Sequence, residues 1–184
     1  MAQRLVMSHR LGYFSWMLSF DLRSLESHAV VVNDDLSADD PIWERGDVKP
    51  EGSVHVSGRL SAAGAGRFYW HGRIEGDVAL ECNRCLSETR AHVKDEAHVI
   101  FAEVGSEETD DPDVYPLDPK AQEIDLRPVI REEWLLVAPT YALCREDCKG
   151  LCPQCGADLN AAPHTCAQKE VDPRWDALRK LNQL

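Results

Sequence analysis

The 184-residue sequence has no uninterrupted apolar stretch of about 18 residues, which is the length that a helix needs to cross a bilayer. The first twenty residues carry scattered basic and aromatic side chains, but neither the apolar run nor the small-residue cleavage site of a secretory signal. These absences predict a cytoplasmic protein without a membrane-spanning helix. Residues 1–16 are expected to be a disordered extension.

The chain also lacks an excess of basic residues, since 20 Lys and Arg face 32 Asp and Glu and the net charge is −12. Proteins that bind nucleic acids indiscriminately carry a basic surface, because neutralising phosphates releases counterions. The charge therefore argues against such binding. Any contact with RNA must use a local basic face or a partner protein.

No Ser-His-Asp order, phosphate-binding loop or HExxH motif is present, so no residue set for catalysis is visible. We expect a protein that is not an enzyme and has no small-molecule substrate. The histidines are scattered, and four of them are expected to be half-buried strand residues: His55, His71, His92 and His98.

Apolar and polar residues alternate in three segments from Ser53 to about residue 104, separated by the turns SAAGAG and NRCLSETR. This period of two predicts three strands of a meander with one apolar face. The candidate inward positions are Phe68, Trp70, Ile74, Val78, Leu80, Val93, Ala97, Val99 and Phe101.

Helical spacing of apolar residues predicts a helix at 126–137 that packs on the sheet, with Asp125 as N-cap and Pro128 in the first turn. Residues 103–123 are predicted to form an acidic loop, and residues 172–184 a short helix. Residues 21–32 fit a short helix or an extended arm equally, and 34–52 are expected to form a loop.

The fold class is therefore α+β: an antiparallel β-meander or partial barrel with a packed helix, then a small zinc-knuckle module and a short helix. The β-rich body is expected at 17–140, and the cysteine-rich module with its helix at 141–184.

Five of the seven cysteines lie within residues 144–166, which favours a metal site over disulfides in a protein without an export signal. Two residues separate Cys152 from Cys155, so both sulfurs can reach one ion about 2.3 Å away. Gly156 can adopt a positive φ that turns backbone amides toward sulfur. The nearest four ligands predict one closed, structural zinc site: Cys144, Cys148, Cys152 and Cys155.

The first pair has an unusual spacing and nearly abuts the second, so other ligand sets stay open. Cys166 or His164 could replace Cys144, or Cys82 and Cys85 could complete the site. Cys82-x2-Cys85 itself can be read as a structural turn, as metal ligands or as a redox pair. A redox pair is typically found at a helix N-terminus, which is not predicted here.

Several motifs together resemble the YceD family, also called the large ribosomal RNA subunit accumulation proteins. The resemblance covers about residues 53–181 and lies in CNRCL, IDLRPVIREEWLL, APTYALCREDCKGLCPQCGADLN and DPRWDALRKL. It implies a role in large-subunit ribosomal RNA accumulation or processing, without known enzymatic activity. Zinc would then stabilise the C-terminal module. Cys166, the long N-terminal stretch and the acidic loop depart from the family pattern.

If RNA is the partner, the sheet and its turn are the candidate surface, with Phe68, Tyr69 or Trp70 available for stacking if exposed. The plainer interpretation is that these aromatics are core and the basic residues are solvated. An alternative function is an acidic adaptor that binds a basic ribosomal protein or assembly factor, and a third is a thiol oxidoreductase. The candidate RNA-binding residues are Arg84, Arg73, Arg90 and Lys94.

Overall fold

The computed structural model describes residues 18–64, 66–104, 114–162 and 164–166. It divides them into two compact units. The first contains the described residues up to Val78 and those from Ala91 to Pro139. The second contains Ala79–Arg90 together with the described residues from Thr140 onward. No helix within these described ranges is long and apolar enough to span a membrane.

Seven strands and two helices are present in the described residues. In chain order they are β1 (Ser19–Asp21), α1 (Leu22–Ser27), β2 (Val30–Ser37), β3 (Ser53–Gly64), β4 (Arg67–Glu81), β5 (Glu88–Glu103), β6 (Val114–Leu117), β7 (Glu123–Asp125) and α2 (Arg127–Val137).

The main sheet has the order β2-β3-β4-β5-β6, and β1 pairs separately with β7. β3 pairs antiparallel with both β2 and β4, so consecutive strands lie side by side as the predicted meander requires. β6 pairs parallel with β5, and the sheet is therefore mixed, not purely antiparallel as predicted. Pro116 is tolerated in β6 because this strand lies at the edge of the sheet.

Strands β3 to β5 bury alternate residues, as the period-two pattern predicted. Each large apolar side chain that is fully buried contributes roughly 1.5–3 kcal/mol. Leu80 is only partly buried, and the other predicted inward positions are all buried: Phe68, Trp70, Ile74, Val78, Val93, Ala97, Val99 and Phe101. Phe68 and Trp70 are therefore not available for stacking, and the interpretation of these two aromatics as core residues is confirmed.

Helix α2 packs on the sheet through Trp134, which is fully buried. Its Nε1 donates to the carbonyl of Val48 at 2.7 Å. A Cβ on Gly76 would approach the Trp134 ring to 3.2 Å, so the absence of a side chain there makes room for the indole. Pro128 lies in the first turn, but the capping position is Leu126. Asp125 lies one residue earlier and accepts a bond from the Arg127 backbone N–H at 3.0 Å.

Residues 19–37 form β1, α1 and β2, where the sequence left helix and extended arm undecided. Asp21 caps α1 by accepting from the Ser24 backbone N–H at 2.9 Å. The predicted loop at 34–52 begins only after Ser37, because β2 extends to that residue. Likewise the predicted acidic loop 103–123 contains β6 and the start of β7.

The four strand histidines, His55, His71, His92 and His98, are exposed and not half-buried. They fall on the solvent-facing positions of the period-two pattern, opposite the apolar residues. The predicted extension 1–16 and the predicted helix 172–184 lie outside the described residues.

Candidate metal centres

All seven cysteines of the chain lie in the second unit, in two groups of four potential metal ligands. Within each group the ligand atoms lie within 4.8 Å of one another. Both groups could therefore hold a metal ion. We call Cys82, Cys85, Cys144 and Cys148 the tetracysteine group, and Cys152, Cys155, His164 and Cys166 the histidine group.

The tetracysteine group joins the turn between β4 and β5 to the segment that follows α2. The Sγ atoms of Cys82 and Cys148 are 3.8 Å apart, and those of Cys85 and Cys144 are 3.6 Å apart. A disulfide needs about 2.05 Å, so these thiols are not bonded to one another. Four thiolates around one tetrahedral ion with bonds of about 2.3 Å would have edges of about 3.8 Å.

The histidine group lies within a short stretch of chain. Sγ of Cys155 is 3.2 Å from Nε2 of His164, and Cys152 and Cys166 complete the group. An imidazole nitrogen and a thiolate sulfur on one tetrahedral ion would be about 3.5 Å apart, given bonds of about 2.0 and 2.3 Å. The donor set and the spacing both suit a borderline-soft divalent ion.

Both Cys-x2-Cys turns have the same backbone hydrogen bonds. In the first, Leu86 N donates to Cys82 O at 2.8 Å and Cys82 N donates to Ser87 O at 2.8 Å. In the second, Gly156 N donates to Cys152 O at 2.8 Å and Cys152 N donates to Ala157 O at 2.8 Å. Leu86 has φ 61° and Gly156 has φ 76°, so both turns end in the left-handed region. The two turns are thus built alike, although their sequences share little beyond the cysteines.

The first cysteine of each turn is polarised toward the thiolate. Backbone amides, first that of Cys144, lower the pKa of Cys82 to about 6. The amides of Gln154 and Cys155 lower the pKa of Cys152 to about 6. Burial raises the pKa of Cys144 and of Cys166 to about 11. Each group therefore contains a thiol with a lowered pKa and a thiol with a raised pKa. A bound cation would favour the thiolate form of the second thiol.

Arg84 and Asn160 hold the segment that carries Cys148. Nη1 of Arg84 donates to the carbonyls of Cys148 at 2.8 Å and Glu146 at 3.3 Å. Nδ2 of Asn160 lies 3.6 Å from Sγ of Cys148, as a donor to that sulfur. Its Oδ1 accepts from the Lys149 backbone N–H at 2.8 Å. Sequence reasoning missed Asn160, since no local pattern indicates that it lies near a sulfur twelve residues away.

The structure does not bring together the four cysteines that the sequence assigned to a single site. Cys144 and Cys148 lie with Cys82 and Cys85, whereas Cys152 and Cys155 lie with His164 and Cys166. The residues named as alternatives therefore complete both groups. The sequence signal for this division is weak, because Cys85 and Cys144 are 59 residues apart in the chain.

The candidate RNA-binding residues are engaged within the protein. Arg84 binds backbone carbonyls, Nη2 of Arg73 pairs with Oε1 of Glu96 at 2.9 Å, and Nζ of Lys94 pairs with Oε2 of Glu75 at 3.1 Å. Arg90 is exposed in β5. Tyr69 is partly buried, and its hydroxyl is 2.6 Å from Nδ1 of His98.

A shallow groove of about 280 Å³ lies on the exposed face of β3 and β4 in the first unit. Its floor includes the backbone of Gly58 and Gly72, which are register partners. Its sides carry two guanidinium groups, an imidazole, a hydroxyl and a carboxylate, from Arg59, Arg73, His71, Ser57 and Glu96. This groove thus brings two guanidinium groups and an imidazole together with one carboxylate.

His71, Glu96 and His98 form a third, exposed set of possible ligands beside this groove. The His71 and His98 rings stack with centroids 4.3 Å apart and planes inclined by 12°. Nitrogen lone pairs lie in the ring plane, so two nearly parallel rings do not aim them at one point. This set is a poor metal site.

Comparison with known proteins gives the family. The profile described as "Large ribosomal RNA subunit accumulation protein YceD" matches residues 70–182. An uncharacterised protein of Mycobacterium tuberculosis is 36% identical over 113 residues, which cover 60% of this chain and 53% of that protein. The uncharacterised protein YlbN of Bacillus subtilis is 29% identical over 136 residues, covering 73% of this chain and 77% of that protein.

A protein of Arabidopsis thaliana is named "Large ribosomal RNA subunit accumulation protein YCED homolog 1, chloroplastic". It is 25% identical over 142 residues, which cover 61% of this chain and 43% of that protein. The chain spans about half the length of the mycobacterial relatives that it matches. No solved structure matches it. The family profile covers more than half of the sequence, and the chain therefore belongs to the YceD family.

Proposed function

We propose that this protein is a non-enzymatic factor for the accumulation or processing of large-subunit ribosomal RNA, and hence for assembly of the large ribosomal subunit in the cytoplasm. The observation that carries the proposal is the match of the YceD profile to residues 70–182. A relative with 25% identity bears the name of an accumulation factor for this RNA.

In this proposal zinc orders the second unit. Thiolate and imidazole donors at tetrahedral spacing suit zinc, and a site filled by four protein ligands leaves no open position for water or substrate. Few apolar side chains of this unit are buried; of its described residues, the buried apolar ones are Cys82, Cys148 and Cys152. Metal binding would supply the ordering free energy that a hydrophobic core supplies in the first unit.

RNA contact is assigned here to the groove on β3 and β4. Arg59 and Arg73 both line it; Arg73 is paired with Glu96, whereas Arg59 is exposed and is the group that would bind a phosphate. Such a local cationic site permits RNA binding despite the net charge of −12. It is a different surface from the Arg84 turn, where the guanidinium already binds two carbonyls.

A depletion strain tests the cellular role. Loss of the protein should raise precursor large-subunit RNA and lower mature large subunits, and the intact gene should restore both. Unchanged precursor levels and unchanged subunit profiles after complete depletion would contradict the proposed function.

Charge reversal in the groove tests direct RNA contact. Arg59→Glu should weaken binding of precursor large-subunit RNA by about tenfold, the effect of one or two lost phosphate contacts. Arg23→Glu is the matched control, because Arg23 is an exposed residue on α1, outside the groove. Equal RNA affinities for the two variants would remove the groove from the proposal.

A second candidate function is an acidic adaptor that binds a basic ribosomal protein or assembly factor, and the net charge of −12 favours it. Digestion of RNA distinguishes direct RNA binding from the adaptor function. Direct RNA binding predicts that the protein leaves pre-ribosomal particles when nuclease is added, whereas the adaptor would remain attached.

The non-enzymatic assignment is tested against thiol redox chemistry, because Cys82 and Cys152 are the polarised thiols of Cys-x2-Cys turns. The zinc-loaded protein should not accelerate insulin reduction by dithiothreitol above the uncatalysed rate. Turnover that disappears in Cys85→Ser would instead identify an oxidoreductase.

A further inference from the structure

We propose that the second unit binds two zinc ions at separate sites, one in the tetracysteine group and the other in the histidine group. The inference deepens the proposed function, from which it takes the identity of the metal. It replaces the single four-cysteine site expected from the sequence. It assigns a ligand role to every cysteine of the chain and to His164.

The first argument is distance. The two Sγ–Sγ distances in the tetracysteine group are 3.8 and 3.6 Å, close to the edge of about 3.8 Å of a zinc–thiolate tetrahedron. Four ligand atoms within 4.8 Å of one another occur twice, and no residue belongs to both groups. Each group therefore has a full tetrahedral set without borrowing a ligand from the other.

The second argument is independent of the sulfur positions. The turns at Cys82–Cys85 and Cys152–Cys155 share two backbone hydrogen bonds and a left-handed residue directly after the second cysteine. In each turn the amide of the residue after the second cysteine donates to the carbonyl of the first cysteine, which fixes the backbone between the two ligands. Outer donors of this kind orient metal ligands. A protein with one ion would need only one such turn.

The two sites differ in how they are closed. The histidine group is drawn from residues 152–166, so its ion closes short loops. The tetracysteine group joins residues 59 and 66 positions apart, so its ion fastens the β4–β5 turn to the chain after α2. Loss of the first ion should loosen local structure, whereas loss of the second should release the whole segment from Thr140.

Zinc stoichiometry of the full-length protein tests the proposal. After exchange into zinc-free buffer under reducing conditions, native mass spectrometry should find two zinc ions per chain. Cys85→Ser and Cys155→Ser should each retain one, and the double variant none. His98→Ala is the control and should retain two, since its stacked ring is not a ligand in this scheme.

The variant His164→Cys replaces one zinc ligand with another. It therefore distinguishes a change of ligand from a loss of folding. In cobalt-loaded protein the absorption of tetrahedral Co²⁺ moves to longer wavelength as thiolate replaces imidazole. His164→Cys should keep two ions and shift only one of the two sets of d–d bands. One ion in the wild type, or a spectrum unchanged in His164→Cys, would overturn the two-site assignment, and iron in place of zinc would overturn the identity of the metal.

The outcomes also separate this inference from the function it rests on. A protein that carries two zinc ions but leaves precursor RNA unchanged on depletion would contradict the ribosomal role alone. A protein that carries a single zinc ion and still supports large-subunit RNA accumulation would contradict the second site alone.

Discussion

Leu86 and Gly156 occupy equivalent positions in two turns, each directly after the second cysteine of a Cys-x2-Cys pair. Both have positive φ, 61° and 76°, and both donate a 2.8 Å backbone bond to the first cysteine of the pair. Glycine adopts this conformation readily, but a leucine in it costs roughly 1–2 kcal/mol. The first turn therefore adopts a left-handed conformation that its leucine disfavours.

Leu86→Gly should stabilise the zinc-loaded protein by about 0.5–1 kcal/mol. The variant removes the left-handed strain and loses little packing, because Leu86 is 60% exposed, while the added freedom of the unfolded chain offsets part of the gain. Urea unfolding of the whole zinc-loaded protein, followed by circular dichroism and by the amount of zinc that resists a chelator, measures the change in the free energy of unfolding.

Leu136→Gly is the control for this prediction, since Leu136 is 73% exposed but lies inside α2. Glycine in the last turn of this helix should lower stability by up to about 1 kcal/mol. If Leu86→Gly destabilised the protein as much as Leu136→Gly does, the strain attributed to Leu86 would be absent.

Arg84→Ala should weaken zinc binding at the tetracysteine group by roughly 10–100-fold, the usual effect of removing an outer support of a ligand. The reason is that Arg84 holds the carbonyls of Glu146 and Cys148, on the segment that carries two of the ligands. Zinc loss to a chromophoric chelator measures it, with the histidine group as internal reference.

Arg90→Ala is a matched control on the same hairpin and should leave both ions in place. If Arg84→Ala reduced RNA affinity without accelerating zinc loss, Arg84 would be an RNA contact after all.

Asp47→Asn should lower stability at neutral pH by roughly 1–2 kcal/mol, because Arg131 makes two bonds to the carboxylate, at 2.7 and 3.0 Å. This pair lowers the pKa of Asp47 below its usual value of 3.8. A lowered pKa adds stability above pH 3.8, which disappears as the pH falls through the folded-state value. The gap between wild type and variant should therefore narrow below pH 4.

Thermal unfolding across a pH series checks this, with Asp39→Asn as an exposed carboxylate control. A gap that stays constant down to pH 2 would show that the charge of Asp47 is not what stabilises the fold.

His92 should titrate above pH 6.5 in NMR spectra. Asp77 binds its Nδ1 at 2.9 Å and raises the pKa of the imidazole, and Glu75 at 3.3 Å from Nε2 adds to the effect. Asp77→Asn should bring the titration midpoint of His92 down. Asp35→Asn, which removes the partner of His55, should leave His92 unchanged.

The elements that the sequence predicted are those whose pattern is local. The alternation of apolar and polar residues in β3, β4 and β5 predicted the buried side chains between Phe68 and Phe101, apart from Leu80. The helical spacing around Trp134 predicted the start of α2 to within one residue. The parallel pairing of β6 was not predictable, because four residues containing a proline carry no strand signal of their own.

The division of the cysteines was harder to predict for a related reason. Ligand spacing along the chain reports only neighbours, so Cys144 and Cys148 were assigned to the turn that follows them. Their partners come from the β4–β5 turn, and the left-handed residue there is a leucine where the usual signal is glycine. Asn160 and Arg84 support Cys148 through contacts that no motif encodes.

The separation of 59 residues between Cys85 and Cys144 also bears on synthesis. At about 5–20 residues per second, translation delivers the second half of the tetracysteine group roughly 3–12 s after the first. During that interval the Cys82–Cys85 turn leaves the ribosome with half of its ligand set. The four ligands can come together only after Cys148 has been synthesised. Assembly of the tetracysteine group is therefore a late step in the folding of the nascent chain.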